Sequence, residues 1–200
     1  MKYFIPLFLL LHLGLLATAQ NKKQLSLDLD RSFHGTGDMQ GAGFAVEYGS
    51  YLGRRIELTA GLGANLHHAE EKLLLTQWGQ TTDASYRMVT GGLQLHAQAN
   101  LAPLRTRVHE LKLGLGPVLR YQSSSMPNVY GITRDPNYPE PFFTFRNNEA
   151  QNLVTLGYLC SVSYSFTLPR QFLIGAKASF QNDTNSDVIT QYGLRIGKRF

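Results

Sequence analysis

"RIELTAGLGANLH", residues 55–67, decides how this chain folds. Ile56, Leu58, Ala60, Leu62, Ala64 and Leu66 fall on one parity. Glu57, Thr59, Gly61, Gly63, Asn65 and His67 fall on the other. A period of two is the signature of a β-strand, whose successive side chains point to opposite faces. The pattern recurs in "VTGGLQLHAQANL" (89–101), "ELKLGLGPVLRYQ" (110–122), "VTLGYLCSVSYSFTL" (154–168), "FLIGAKASFQ" (172–181) and Val188 to Phe200. It is less regular in "QLSLDLDRSF" (24–33) and "GFAVEYGSY" (43–51). These make eight strands of about 9–13 residues, and a tilted strand needs about 9–11 to cross a bilayer.

The opening stretch, "MKYFIPLFLLLHLGLLATAQ", is of another kind. Lys2 precedes an apolar run from Ile5 to Leu16, and Ala17-Thr18-Ala19 offers a small-residue cleavage site before Gln20. That is the layout of a secretory signal peptide. The apolar run of about 12 residues falls short of the roughly 20 that a membrane-spanning helix needs. Residues 1–19 are therefore read as a cleaved leader and residues 20–200 as one domain. No later apolar run is long enough for a transmembrane helix.

Charged residues are 16% of the chain, below the roughly 25% usual for soluble domains. The net charge is +5, yet no basic cluster interleaved with aromatics marks a nucleic-acid surface. A single cysteine, Cys160, rules out an internal disulfide framework.

The connections are sorted by length. Those after the odd strands are longer: "HGTGDMQGAG", "HAEEKLLLTQWGQTTDASY", Ser123 to Ala150, and "NDTNSD". Those after the even strands are tight: around "LGRR", "APLRTRV" and "PRQ". In an up-and-down meander the odd loops share one end and the even turns the other. Long loops on one side with tight turns on the other are the mark of a transmembrane barrel. The apolar face then meets lipid, and the polar face fills the lumen. That inner face carries Asp28, Asp30, Glu47, Glu57, Lys112, Arg120, Lys177, Arg195 and Arg199 among many glycines. Eight strands enclose an interior just wide enough for side chains, so these charges are expected to pair. Counting from the shared tight-turn end puts Asp28 and Asp30 roughly level with Arg195 and Arg199, as a lock on the closing seam. Outward aromatics fall in two groups, Tyr164, Phe166, Phe172 and Phe200 toward the tight turns and Phe44, Tyr121 and Phe180 toward the long loops. That suits two interfacial girdles.

The chain from residue 20 onward resembles the small eight-stranded outer-membrane β-barrels of the OmpA/OmpX type. The resemblance is carried by the alternation, the loop asymmetry and the closing "QYGLRIGKRF". It implies an outer-membrane protein of a Gram-negative-type cell, surrounded by outer-membrane lipid. Phe200, in phase with Leu194 and Ile196, looks like the signal by which the barrel insertion machinery recognises this family. Lys198 departs from the family's apolar or aromatic residue two before the end. Its stem can snorkel toward the interface.

Chemistry is weakly written. Some barrels of this size modify lipid A, with a serine, a histidine and an acid held together. Here His96 lies inward between Gln94 and Gln98, with Ser161, Ser163 and Ser165 across the barrel. In "HHAEE", His67 and His68 point to opposite faces, which argues against a shared metal ion. No catalytic, cofactor or metal site is assigned. The loops carry the functional expectation. "MPNVYGITRDPNYPEPFFTF" presents Tyr130, Tyr138, Phe142 and Phe143 on a proline-stiffened segment, and Trp78 lies near the tip of the third connection, where "KLLLTQW" extends strand three. Aromatics on a stiff loop suit an extracellular protein or glycan ligand. The alternative is that they pack on one another over the barrel mouth. The sequence therefore reads as a non-enzymatic barrel with structural, adhesive or ligand-binding loops. A lipid A-modifying barrel and a soluble lipocalin-like barrel are the rivals. The second would expose an apolar band far larger than soluble monomers carry.

Overall fold

A computed structural model describes residues 23–35, 38–77, 80–133, 142–146 and 149–200, with the side chains of 75, 77, 80 and 128–130 left aside. Twelve strands follow in chain order: β1 (Lys23–His34), β2 (Met39–Leu52), β3 (Ile56–Glu71), β4 (Leu74–Gln77), β5 (Gln80–Asp83), β6 (Tyr86–Arg105), β7 (His109–Ser125), β8 (Asn128–Thr133), β9 (Phe142–Arg146), β10 (Gln151–Thr167), β11 (Phe172–Asp183) and β12 (Val188–Arg199). Eight of them close into one barrel in the order β1-β12-β11-β10-β7-β6-β3-β2. All neighbours run antiparallel, and each pairs with the next barrel strand in sequence until β12 returns to β1. The all-β, eight-stranded up-and-down barrel expected from the alternation is the fold observed. Closure satisfies every edge, which a strand ladder surrounded by lipid requires. At the seam, Lys23 and Phe200 exchange backbone hydrogen bonds of 2.9 Å.

The inner parity is buried and the outer parity is exposed. In β3, Glu57, Thr59, Gly61, Gly63, Asn65 and His67 are buried, while Ile56, Leu58, Ala60, Leu62 and Leu66 face out. The polarity is inverted relative to a soluble barrel. Leu62 is 65% exposed and Leu194 62%, whereas Asp28 and Arg120 are both at 0%. In water such an apolar belt would drive association. Against acyl chains it is the matching surface.

Lumen glycines make room for the long polar side chains beside them. A Cβ on Gly49 would lie 2.2 Å from Glu57 Oε1, one on Gly61 2.5 Å from His96 Nε2, and one on Gly92 2.7 Å from Arg120 Nε. The lumen is packed, and its polar chains reach across the barrel only because their neighbours have no side chain.

Three sequence expectations are corrected. The strands are longer than expected, reaching 20 residues in β6 and 17 in β7 and β10. β3, β6, β7 and β10 flank the two long connections, and their pairing continues outward, to Glu71↔Tyr86 on one side. The first and seventh connections shrink to residues 35–38 and 184–187, because residues 39–43 pair in register with β1 and β3, and Asn182 and Asp183 pair with Val188 and Gly157. Third, "KLLLTQW" does not simply extend strand three. The chain breaks at Lys72–Leu73, where the Leu73 carbonyl accepts from the Ala84 N–H and the Leu73 N–H donates to Ser85 Oγ, and then forms a separate ribbon, β4–β5. A second separate ribbon, β8–β9, lies in the fifth connection. The tight turns occupy residues 53–55, 106–108 and 168–171 at the opposite end. Near one of them, the β6–β7 register shifts between Leu101 and Leu104. Pro103 sits there with no N–H to give the ladder.

Candidate functional site

The register brings the inward charges to three levels of the lumen. At the middle level Asp28 stands opposite Arg195 across the seam. Arg195 grips it with both ends of its fork, Nε to Oδ1 and Nη2 to Oδ2, each at 2.7 Å. Lys177 on β11 reaches Asp28 Oδ2 at 2.9 Å. Glu47 on β2 completes the group, accepting from Arg195, from Lys177 and from His96 Nε2 at 3.0 Å. Two carboxylates, two cations and one imidazole from five strands thus meet in one buried cluster. Such a group is held by mutual pairing, since each charge alone would be strongly unfavourable there.

Near the tight turns, Lys112 donates to Glu57 at 2.8 Å, and Arg199 to Glu110 at 2.8 Å. Lys112 and Arg105 also approach Glu110, at 3.6 and 3.4 Å, and the Tyr51 hydroxyl donates to it. Arg105 lies over the Tyr51 ring, 3.5 Å from its centroid. Near the long loops, Arg120 faces Asp183 at 3.9 Å and Asp187 at 3.8 Å. His34 lies 3.5 Å from Asp187, stacks at 5.4 Å on His67, and His67 Nε2 meets Ser32 Oγ at 2.7 Å. The neighbouring His34 ring, followed by the Asn185 and Gln122 amides, holds the Asp187 carboxyl below its ordinary value.

Eight of the nine lumen residues singled out from sequence therefore join an ion pair. Two seam details differ. Arg199 is level with Gln24, and its partner is Glu110 on β7, across the lumen. Asp30 is level with Gly193, makes no ion pair among the described residues and keeps Oδ1 without a hydrogen bond. The reason is the antiparallel ladder: once Asp28 opposes Arg195, moving two residues up β1 moves two residues down β12. Sequence reading missed Glu110, Tyr51 and Asp183. Glu110 shares its parity with Lys112, and that spacing was the available signal. Asp183 falls in the connection "NDTNSD" by sequence, yet its side chain is fully buried at the end of β11.

His96 is a lumen hydrogen-bonding residue, with Glu47 as its partner. Ser161 donates to Gln98 Oε1 at 3.3 Å, and among the described residues the recorded side-chain partner of His96 is Glu47. His67 is buried and His68 exposed, on opposite faces. Among the described residues no group of three His, Cys, Asp or Glu side chains could hold a metal ion. Cys160 is a free thiol facing outward.

At the long-loop end, Phe142 is exposed and Phe143 half-buried on β9, and Phe145 meets Tyr86 edge-on at 6.1 Å. Leu74 and Ile132 add exposed apolar side chains to the two ribbons. Trp78, Tyr138 and the Tyr130 side chain lie outside the described residues, as does the segment 1–19 read as a leader. The outward aromatics form two bands. Tyr158 and Phe180 (6.3 Å) and Phe33 and Tyr192 (5.7 Å) pair toward the loops. His109, Tyr164 and Phe166 cluster toward the turns. There too, the Lys198 ammonium sits over the Phe172 ring at 5.5 Å.

No family model matches this chain, and no curated protein matches it. Solved structures do. The chain is similar to Ail, the attachment invasion locus protein of Yersinia pestis, in complex with the heparin analogue sucrose octasulfate, with 12% identity, 90% of this chain and 99% of that one covered, and a TM-score of 0.56. A second structure of Ail matches with 11% identity, the same coverage and a TM-score of 0.53. At such identities the likeness speaks for the fold alone. By its closed eight-stranded meander, its inverted polarity and these matches, the chain has the fold of the small outer-membrane β-barrels.

Proposed function

We propose that this protein is an integral outer-membrane β-barrel, exported by a cleaved leader at residues 1–19, that acts through its long-loop end by binding rather than by catalysis. The observation that carries the reading is the inverted polarity: a lumen filled by paired charges inside a continuous exposed belt of Leu, Ile and Val. A filled lumen offers no wide pore. The functional surface is then the end that carries two ribbons, β4–β5 and β8–β9, separate from the barrel sheet. Exposed Phe142 and Ile132, with Phe143 beside them, give that surface apolar anchors of the kind that dominate recognition. The occupant is an extracellular protein or glycan. Ail, a barrel of this fold, was solved with a heparin analogue. The ribbons and mouth here carry Glu70, Glu71, Asp83, Glu149 and Asp187, so aromatic stacking on a sugar or peptide suits them better than capture of a sulfated chain. Phe200 serves as the recognition residue for the insertion machinery.

The test is gel mobility of the membrane fraction, boiled against unboiled, with fractionation of the cell envelope. A heat-dependent shift in the outer-membrane fraction supports the reading. A soluble secreted protein without a shift overturns it. Binding is read separately, by comparing adhesion of cells carrying the native chain and Phe142→Ala/Phe143→Ala to glycan and matrix-protein arrays.

A further inference from the structure

At the tight-turn end the barrel does not close flush. A cavity of about 1000 Å3 opens there, walled by Tyr51, Arg54, Arg55, Arg105, Arg107 and Arg199. Five of these six are arginines, and no acidic side chain lines the space. Glu110, which Arg105 and Arg199 of this wall approach, is shared among Arg105, Lys112, Arg199 and the Tyr51 hydroxyl. Arg54, Arg55 and Arg107 are exposed, and no carboxylate pairs with them among the described residues. Arg199 is only 6% exposed, yet its Nε has no hydrogen-bond partner.

The turn beside it is strained. Arg170 and Gln171 have φ of 62° and 65°, two consecutive non-glycine residues in the left-handed region. Gln171 lines the cavity. A chain that only needed to reverse direction would carry glycine or asparagine at such positions. Strain of this kind collects where a side chain must be aimed.

We propose that this cradle binds a phosphate-bearing anion. Guanidinium forks match phosphate oxygens in pairs. Several uncompensated arginines around one cavity call for more negative charge per volume than single carboxylates deliver. Two sources share that chemistry: a free phosphorylated molecule and the headgroup of an anionic phospholipid. On the membrane reading above, headgroups surround the outside of the barrel. Tyr51 and Arg199 are on its inner parity, so the cavity opens along the barrel axis. The geometry therefore favours the free, soluble anion.

The experiment is calorimetric titration of the full barrel, folded in neutral detergent, with inorganic pyrophosphate at low salt. The expected result is saturable binding that weakens as salt rises and falls at least tenfold in Arg54→Gln/Arg107→Gln. Those two side chains make no ion pair, so this variant keeps the heat-dependent gel shift, and the shift reports on the barrel reading independently. No binding, or equal binding by the variant, overturns the proposal. Micelles doped with phosphatidylglycerol separate the sources. Pyrophosphate affinity unchanged by the lipid supports the free anion. Displacement of pyrophosphate by the lipid makes a headgroup the occupant and overturns that assignment.

Discussion

Asp28 and Arg195 are 167 residues apart in sequence and directly opposite each other across the closing seam, joined by two hydrogen bonds of 2.7 Å. The pair sits in a cluster with Glu47, Lys177 and His96 that spans the lumen. Removing one member leaves its partners buried and uncompensated. Arg195→Ala is expected to lower unfolding stability by about 3–5 kcal/mol. Urea unfolding in detergent or bilayer vesicles measures it, and a neutral result would show that the seam is held by its backbone ladder alone. A double-mutant cycle with Asp28→Ala isolates the coupling from the contributions of Glu47 and Lys177.

The polarity of the barrel has its own test at Leu62, which faces outward between Val46 and Leu95. In a bilayer, Leu62→Arg is expected to destabilise by about 2–4 kcal/mol, the penalty for a cation near the midplane. In a water-exposed wall the same change would be tolerated or would raise solubility. Refolding yield into vesicles reads the difference.

Backbones approach closely at Gly116, where an added Cβ would lie 1.8 Å from the carbonyl oxygen of Ala97. That atom belongs to the ladder and cannot swing away. Gly116→Ala is expected to destabilise by about 1–3 kcal/mol or to shift the β6–β7 register. Gly131 on β8 has nothing within 4 Å of the same position. Gly131→Ala should stay within about 0.5 kcal/mol of the native protein. Thermal unfolding of the two variants side by side makes the comparison.

Asp187 lies in the turn after β11, and the His34 ring, 3.5 Å from its carboxylate, holds its carboxyl below the ordinary value of 3.8. A depressed carboxyl contributes stability that is fully present above the unfolded-state value and is lost as pH falls through the lower folded-state value. Acid unfolding should therefore steepen below pH 3.8 in the native protein, and Asp187→Asn should flatten that part of the curve. An unchanged acid limb would remove Asp187 from the titration.

Much of this architecture was legible in the residues. Alternation of the kind seen at 55–67 defines both strand and face, because a strand has only two faces and one of them must meet lipid. The lumen charges were legible for the same reason: Asp28, Glu47, Lys177 and Arg195 share the buried parity. Pairing across the barrel was not. Whether Arg199 meets Asp30 or Glu110 depends on shear and on side-chain reach across the lumen, and neither is written in one strand. Asp183 was misplaced because an Asn-Asp-Thr-Asn string reads as a turn, while its carboxylate is held inside by Arg120 and Thr155. The arginine cradle was half legible. Arg54, Arg55, Arg105 and Arg107 stand in the tight connections "LGRR" and "APLRTRV", but only the folded turns show that they surround one space.

The pairing of β1 with β12 sets an order of events. Every other backbone ladder of the barrel joins strands that follow one another along the chain in the barrel order, so those hairpins need only their two halves. The lock between Asp28 and Arg195 cannot, because residues 188–199 must first be in place. Until then the growing meander keeps two raw edges and an unpaired Asp28, and a partly made chain has no finished shape in which to settle. The sheet becomes a ring only when its last strand arrives.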